Sequence, residues 1–274
     1  MRYFVFGLAA LFVALLAAAN TANAGKFYAV ENSGTGSGGP NQLSTLRVSC
    51  NPDDMIHASG FFGVDKGTSI LSSYPVDEDT YQLTWRNNNT ADNITLRMTC
   101  IGLSNFFQGV ESQVHQGAAG LVATGETPCP SEQLALSGGF QGLAPTSSLR
   151  SSMPDDDLLF YRASWRSAQG ADDLKVLAYC VREGGTNFVV QEVTGAGAGG
   201  PNQASSLTLT CVDHTGGPAG IGFRGLDQGS ALQALGPLDE TRTRITWRND
   251  NTPDTVTLRV VCVFFDQARA APTL

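Results

Sequence analysis

The chain has 274 residues, 31 of them glycine, with charged residues at 15% and a formal net charge of −8. That length supports a sizeable core, and an acidic, sparsely charged surface argues against nucleic acid or anionic membrane as a general partner. Short runs of Thr, Val, Leu and Ser between glycines are the composition of a turn-rich β protein.

Arg2 is the only charge in the first 24 residues, and an apolar stretch runs from Tyr3 to Ala19. Ala22-Asn23-Ala24 then places small residues at the two positions a signal peptidase reads. The pattern predicts a secretory signal over residues 1–24, cleaved after Ala24. The stretch is short for a membrane span, and no later segment is long and apolar enough to be one. The expected location is secreted or cell-surface, the periplasm included, with no transmembrane segment in the mature chain.

An internal repeat organises the rest. The six cysteines stand at 50, 100, 129, 180, 211 and 262, so that consecutive pairs are 50, 51 and 51 residues apart. Trp85, Trp165 and Trp247 each precede the second Cys of a pair by 15 residues, and an Arg follows each: Arg86, Arg166 and Arg248. Phe27, Phe106 and Phe188 each precede the first Cys by 23 residues and open strand-like runs. Gly39-Pro40-Asn41-Gln42 returns as Gly200-Pro201-Asn202-Gln203, and the turn from Gly63 to Gly67 returns from Gly225 to Gly229. Pro75, Pro154 and Pro237 come before the tryptophans, and Asp92, Asp172 and Asp254 follow them by seven residues. So many matched offsets define three copies of one module, over 25–103, 104–185 and 186–267, with a tail over 268–274. The second copy diverges most.

Within a module, the stretch before the second Cys alternates. Ile94, Leu96, Met98 and Cys100 share one face, as do Leu174, Val176, Ala178 and Cys180, and Val256, Leu258, Val260 and Cys262. Period two means a strand with a buried face. Leu83 and Trp85, and their equivalents, mark the strand before it. Asn and Asp residues between the two, such as 87–92 and 249–254, predict that they form a hairpin with a longish loop. Further strands near each Phe, around each first Cys and near Ile70 or Leu232 bring the expectation to five or six per copy.

Cysteines at matched places in a secreted chain read as disulfides. Repetition selects Cys50–Cys100, Cys129–Cys180 and Cys211–Cys262. Closing a loop of this size contributes about 4 kcal/mol in the chain-entropy account. A metal site needs ligands at shorter spacing, so no metal or other cofactor is expected. An immunoglobulin arrangement is excluded, because there the Trp follows the first Cys closely, whereas here it stands beside the second.

Copy two carries Cys129-Pro130, Ser137-Gly138-Gly139-Phe140, Ser152-Met153-Pro154, Trp165 and a final strand ending in Cys180. This resembles a module of many secreted bacterial proteins: Cys-Pro, a Gly-rich strand, Ser-x-Pro, a Trp and an apolar strand ending in Cys. Copies one and three match it less well, with Asn51-Pro52 and Val212-Asp213 after the Cys. The resemblance implies fold and compartment and carries no catalytic residue.

Five residues join Cys100 to Phe106 and seven join Cys180 to Phe188, too few for flexible beads. Two assemblies are compatible with such junctions. In one, the copies close around a pseudo-threefold axis with β-prism-like symmetry, each giving one sheet; in the other, three small sandwiches stack. The lack of an obvious capping copy favours closure.

The chemistry is sparser than the architecture. His57, His115 and His214 occupy no equivalent places, and no Gly-x-Ser-x-Gly or phosphate-binding loop is present. The acidic runs at 77–79, 155–157 and 239–240 suit calcium in composition, but lack its spacing and read as turns; Asp65 and Asp227 read likewise. Arg86, Arg166 and Arg248, pointing away from the buried Trp, are the candidate binding residues. Asn88 and Asn93 open glycosylation sequons. These features favour a non-catalytic binding or adhesion protein with an extracellular glycan or surface protein as partner. A structural or assembly protein of the surface or matrix is the alternative, and a secreted hydrolase comes third.

Overall fold

The structure, a computed structural model, describes residues 27–36, 41–65, 67–87, 91–102, 107–167, 172–182, 187–198, 203–211, 216–227, 229–249 and 253–264, those at 107 and 108 by backbone alone. The expected signal segment, the tail, Phe106, His214 and Asn88 lie outside these residues. The described residues form eighteen strands and no helix, six strands to a copy. Copy one holds β1 (Phe27–Thr35), β2 (Leu43–Ser49), β3 (Met55–Phe62), β4 (Ser69–Pro75), β5 (Thr80–Arg86) and β6 (Asn93–Ile101). Copy two holds β7 (Phe107–Gly117), β8 (Val122–Pro128), β9 (Gln133–Gln141), β10 (Ser148–Pro154), β11 (Phe160–Arg166) and β12 (Asp172–Arg182). Copy three holds β13 (Asn187–Ala196), β14 (Ala204–Thr210), β15 (Pro218–Arg224), β16 (Ala231–Pro237), β17 (Arg242–Arg248) and β18 (Thr255–Phe264).

Each copy splits its strands between two half-sheets. In copy one, β6 pairs with β1 and β3, while β5 pairs with β2 and β4. The Trp strand and the final Cys strand therefore belong to different sheets, and the expected hairpin between them does not form. They lie in different sheets of the module, with the Asn- and Asp-rich segment between them in sequence. The physical reason lies in that segment: Asn87, Asp92, Asn249 and Asp254 are almost wholly buried. Asn87 Oδ1 accepts the Trp85 indole N–H at 2.8 Å, and Asn249 Oδ1 accepts that of Trp247 at 2.9 Å. These residues are polar because they cap a buried indole, not because they face water.

The half-sheets are completed by other copies. The three sheets run β1-β6-β3-β16-β17-β14, β13-β18-β15-β10-β11-β8 and β2-β5-β4-β9-β12-β7. Each sheet thus takes three strands from each of two copies, rather than coming from a single copy. Copy one pairs with copy three through β3 and β16, copy three with copy two through β15 and β10, and copy two with copy one through β9 and β4. Stacked sandwiches in chain order would leave copies one and three apart. The pairing fits the pseudo-threefold arrangement.

Glycine makes these junctions possible. A Cβ at Gly60 would lie 1.9 Å from the Leu235 carbonyl oxygen, one at Gly139 1.9 Å from that of Ser73, and one at Gly222 2.7 Å from that of Ser152. The three are matched positions, each on the first strand of a junction, and only a residue without a side chain lets the neighbouring backbone come so close. A second matched contact ties each junction. The N–H of Val64, Leu143 and Leu226 donates to the carbonyl of Gln233, Leu71 and Arg150, at 3.1, 3.0 and 3.3 Å. Each acceptor is the extra residue of a bulge between the fourth and fifth strands of its copy.

Each Trp anchors its own apolar cluster. Trp85 packs with Leu83, Ile94, Leu96 and Met98, Trp165 with Ala163, Leu174 and Val176, and Trp247 with Ile245, Val256 and Leu258. The disulfides Cys50–Cys100, Cys129–Cys180 and Cys211–Cys262 each tie one copy's second strand region to its last strand. The cluster around Trp85 continues into Leu136, Val181, Ala219 and Val263 of the other copies, so the three cores meet. No helix among the described residues is long and apolar enough to cross a membrane.

Candidate ligand site at the junction of the three copies

The fourth strands of the three copies, β4, β10 and β16, begin at equivalent places: Ser69 stands opposite Arg86, Ser148 opposite Arg166 and Ala231 opposite Arg248. Where these strand starts come together they enclose a cavity of about 290 Å³. Its floor is apolar, from Ile70, Leu149, Leu232, Phe140 and Leu143. Its rim is hydroxylic, from Thr68, Ser69, Ser147, Ser148 and Ser230, with Gly67 and Gly229 exposed at the edge. Arg248 and Asn249 close one side. The cavity belongs to no single copy, since it exists only where three turns converge.

The rim hydroxyls are held from behind. Ser147 Oγ donates to Asp172 Oδ2, and Ser69 Oγ donates across a copy boundary to the Pro145 carbonyl at 2.8 Å. Thr68 hydrogen-bonds the buried Asp92 carboxyl, whose pKa burial raises against the opposing effect of hydrogen bonds from Thr68 and the Asp65 N–H. A hydroxyl that has given its proton away keeps lone pairs to offer. Thr68, Ser69 and Ser147 are therefore left to accept hydrogen bonds, while an Arg can only donate them.

Beneath the floor lies a void of about 20 Å³, sharing Phe140, Leu149 and Leu232 with the cavity above. It is large enough for one water molecule. Ser73 and Tyr81 share a short hydrogen bond beside it, and Ser152 and Tyr161 share one of 2.9 Å. Burial pushes Tyr81 up to about 12 and raises Tyr161 as well. Both phenols stay neutral at ordinary pH, so no charge lies under the floor from this source.

The sequence-derived candidates separate in the structure. Arg86, Arg166 and Arg248 are each half-buried and follow a buried Trp, but they do not converge on one site. Arg166 Nε donates to the Gly120 carbonyl at 3.0 Å, in the turn between β7 and β8. Arg248 is the one of the three that lines the cavity. His57 is buried and His115 sits on the edge strand β7 with Nε2 2.9 Å from the Glu126 carbonyl oxygen; neither lines the cavity. In each acidic run the first Asp serves a turn. Asp77 Oδ1 accepts the Thr80 N–H at 2.8 Å, Asp155 Oδ1 that of Leu159 at 2.8 Å, and Asp239 Oδ1 that of Arg242 at 2.8 Å. Among the described residues no group of three or more His, Cys, Asp or Glu stands ready to hold a metal ion. Asn93 is exposed at the start of β6.

The rim serines and threonine escaped sequence reasoning. A signal existed: each follows the repeated turn at a matched place, as Thr68-Ser69, Ser147-Ser148 and Ser230-Ala231. Without the inter-copy pairing, hydroxyls after a turn read as turn chemistry alone. No protein-family model matches the chain, and no characterised protein matches it in sequence.

Proposed function

We propose that the protein is a secreted or cell-surface binding protein without catalytic activity, and that it takes a glycan unit in the cavity between its three copies. One observation carries this reading: hydroxyl groups from all three copies ring an apolar floor. A sugar ring has that complementary form, hydroxyl donors at its edge and C–H groups on its face. The volume is at the small end for ligand pockets, which begin at about 300 Å³, and suits one ring. Three disulfides and the signal-like N-terminus support an extracellular setting.

A glycan array of the mature protein beside its Ser148→Phe variant tests the reading. Binding to a defined terminal sugar, lost in the variant while its thermal unfolding is kept, is the expected result. Unchanged binding in the variant overturns it.

The second reading, a structural or assembly protein, draws on one feature. Val114, Leu121 and Val122 are more than half exposed on and between β7 and β8, which are both sheet edges, and exposed apolar edges favour self-association. Concentration-dependent polymers in analytical ultracentrifugation, abolished by Val122→Lys, would shift the conclusion to that reading.

A further inference from the structure

We infer that the outer face of the β2-β5-β4-β9-β12-β7 sheet docks a second copy of this chain, closing a two-fold dimer in which Glu78 of each protomer meets the partner's Arg86. The inference is independent of the cavity and of what fills it.

A contrast among the three sheets leads to it. They are built alike, so their outer faces can be compared place by place. Opposite the matched glycines Gly60 and Gly222 stand Arg97 and Arg259, and each is held by a glutamate of the next strand, Glu31 or Glu192. Opposite Gly139 the third sheet has Leu177, and Ser112 takes the place of the glutamate. The acidic runs differ in the same sense. Asp156 pairs with Arg259 and Asp239 with Arg242, whereas the run from Asp77 to Asp79 meets no cation. Among the described residues no ion pair forms on this sheet, and Arg86, Lys175 and Glu78 have no charged partner.

These charges are arranged by polarity. Tyr81, Leu83 and Trp85 of β5 are buried in the core, so Arg86 points outward at one end of the strand. The exposed Glu78 lies in the turn at the other end, where its carbonyl takes the Tyr179 hydroxyl; the ends of β5 are about 20 Å apart. A two-fold axis lying in the face and crossing the strands exchanges those ends, so that Glu78 and Arg86 are matched twice, as an isologous interface requires. Lys175 then comes opposite the partner's Tyr179, beside which the same acidic turn lies. Arg47, brought near its own copy, is drawn along the sheet by its 2.6 Å bond to Gln82. Leu43 and Val114, 55% and 63% exposed on the two edge strands, are the apolar side chains that pairing covers. Six strands of at least seven residues offer about 500 Å² per protomer, so the pair reaches the roughly 1,000 Å² that a specific interface needs. Such exposed ion pairs make the contact sensitive to salt.

Sedimentation equilibrium of the mature protein tests the inference. A monomer–dimer equilibrium is expected at about 100 µM protein, weakened at least about fivefold between about 0.1 and 0.5 M NaCl. Glu78→Arg and Arg86→Glu should each be monomeric, since each sets like charges against one another. An equimolar mixture of the two should recover the dimer mass, because both contacts then join opposite charges. Lys175→Glu should weaken the dimer as well, which keeps the test open if Arg86→Glu lowers the thermal unfolding midpoint. Asp157→Arg, in the acidic run of copy two, should leave the equilibrium unchanged. A monomeric wild type, masses beyond the dimer, a dimer that survives the Glu78 and Lys175 changes, or a mixture of folded variants that stays monomeric overturns the inference.

Discussion

Copies one and three solve several packing problems in the same way, and copy two solves them differently. Gly34 and Gly195 face Leu46 and Leu207, whose side chains come within 3.0 and 2.6 Å of where a Cβ would be. Copy two has the pair reversed: His115 stands in place of the glycine, and Gly125 in place of the leucine, so that the imidazole fills the space the leucine would take. The exchange conserves volume, which is what a close-packed core requires. The inter-copy clasp also differs. Arg259 of copy three hydrogen-bonds Glu192 at 2.7 Å, the Pro154 carbonyl at 2.9 Å and Asp156, whose carboxyl it holds below the usual range. Arg97 of copy one does the same with Glu31 and the Leu238 carbonyl. Copy two has Leu177 at this place, and Tyr179 instead donates to the Glu78 carbonyl of copy one at 3.2 Å. One exchange is uncompensated. Ser167 replaces the indole-capping asparagine and is too short to reach, leaving Trp165 Nε1 and Ser167 Oγ both buried without a hydrogen bond. The repeat thus tolerates several changed side chains, mostly where volume or a hydrogen bond is restored locally, and it keeps Gly60, Gly139 and Gly222 where backbones of two copies meet.

That contrast predicts a ranking. The largest effect belongs to the invariant junction. Gly60→Ala, Gly139→Ala and Gly222→Ala should each destabilise by about 3 kcal/mol or more, because backbone must move to admit the methyl. Urea midpoints of the three should fall by similar amounts, and one tolerant site would break the equivalence of the junctions. Next comes the indole cap. Asn249 also accepts the Asp254 N–H and donates to the Ala198 carbonyl, so Asn249→Ala should cost about 2–3 kcal/mol, at the upper range for buried groups left unpaired. Ser167→Ala in copy two should change stability by less than about 0.5 kcal/mol, since its hydroxyl makes no bond to lose. Comparable costs in the two copies would contradict the uncompensated reading.

His57 provides a pH-dependent comparison. It is the extra residue of the β3–β6 bulge, where copy two has Leu136 and copy three Ala219, all three buried. Burial lowers its pKa from 6.5 to about 3, with the Gly217 backbone acting in the opposite direction. The unfolded chain therefore binds a proton below about 6.5 that the folded chain refuses until about 3. The stability from a neutral His57 is fully present above pH 6.5 and is lost as pH falls toward 3, at up to about 1.4 kcal/mol per pH unit. His57→Leu, copying Leu136, should flatten that dependence between pH 6 and 4 in urea unfolding; an unchanged slope would show that other groups set it. The last comparison is at the exchanged edge pair. Gly125→Leu should lose about 1–2 kcal/mol against His115, and the double change with His115→Gly should recover most of it, a coupling that a double-mutant cycle reads directly.

The repeat, the all-β class and the strand-bearing segments were legible because period-two alternation and matched offsets are properties of one chain segment at a time. The Asn and Asp runs at 87–92 and 249–254 misled, since an asparagine that caps an indole looks in sequence like one that faces water. The exchange of half-sheets was illegible for a related reason. Gly60, Gly139 and Gly222 were visible as glycines, but the carbonyl each one admits comes from another copy, 66 or more residues away along the chain. The site inherited that difficulty: Arg248 was singled out by its place after Trp247, whereas Thr68, Ser69, Ser147, Ser148 and Ser230 acquire meaning only once the three turns meet.

The central claim, that one ligand is held by all three copies at once, is tested most directly by amide chemical-shift mapping on the mature protein during titration with the terminal sugar that the glycan array identifies. The account predicts concerted shifts at 68–70, 147–149 and 230–232, saturating along one binding curve. Shifts confined to a single copy, or spread over the outer edge strands with these nine amides unmoved, would contradict it.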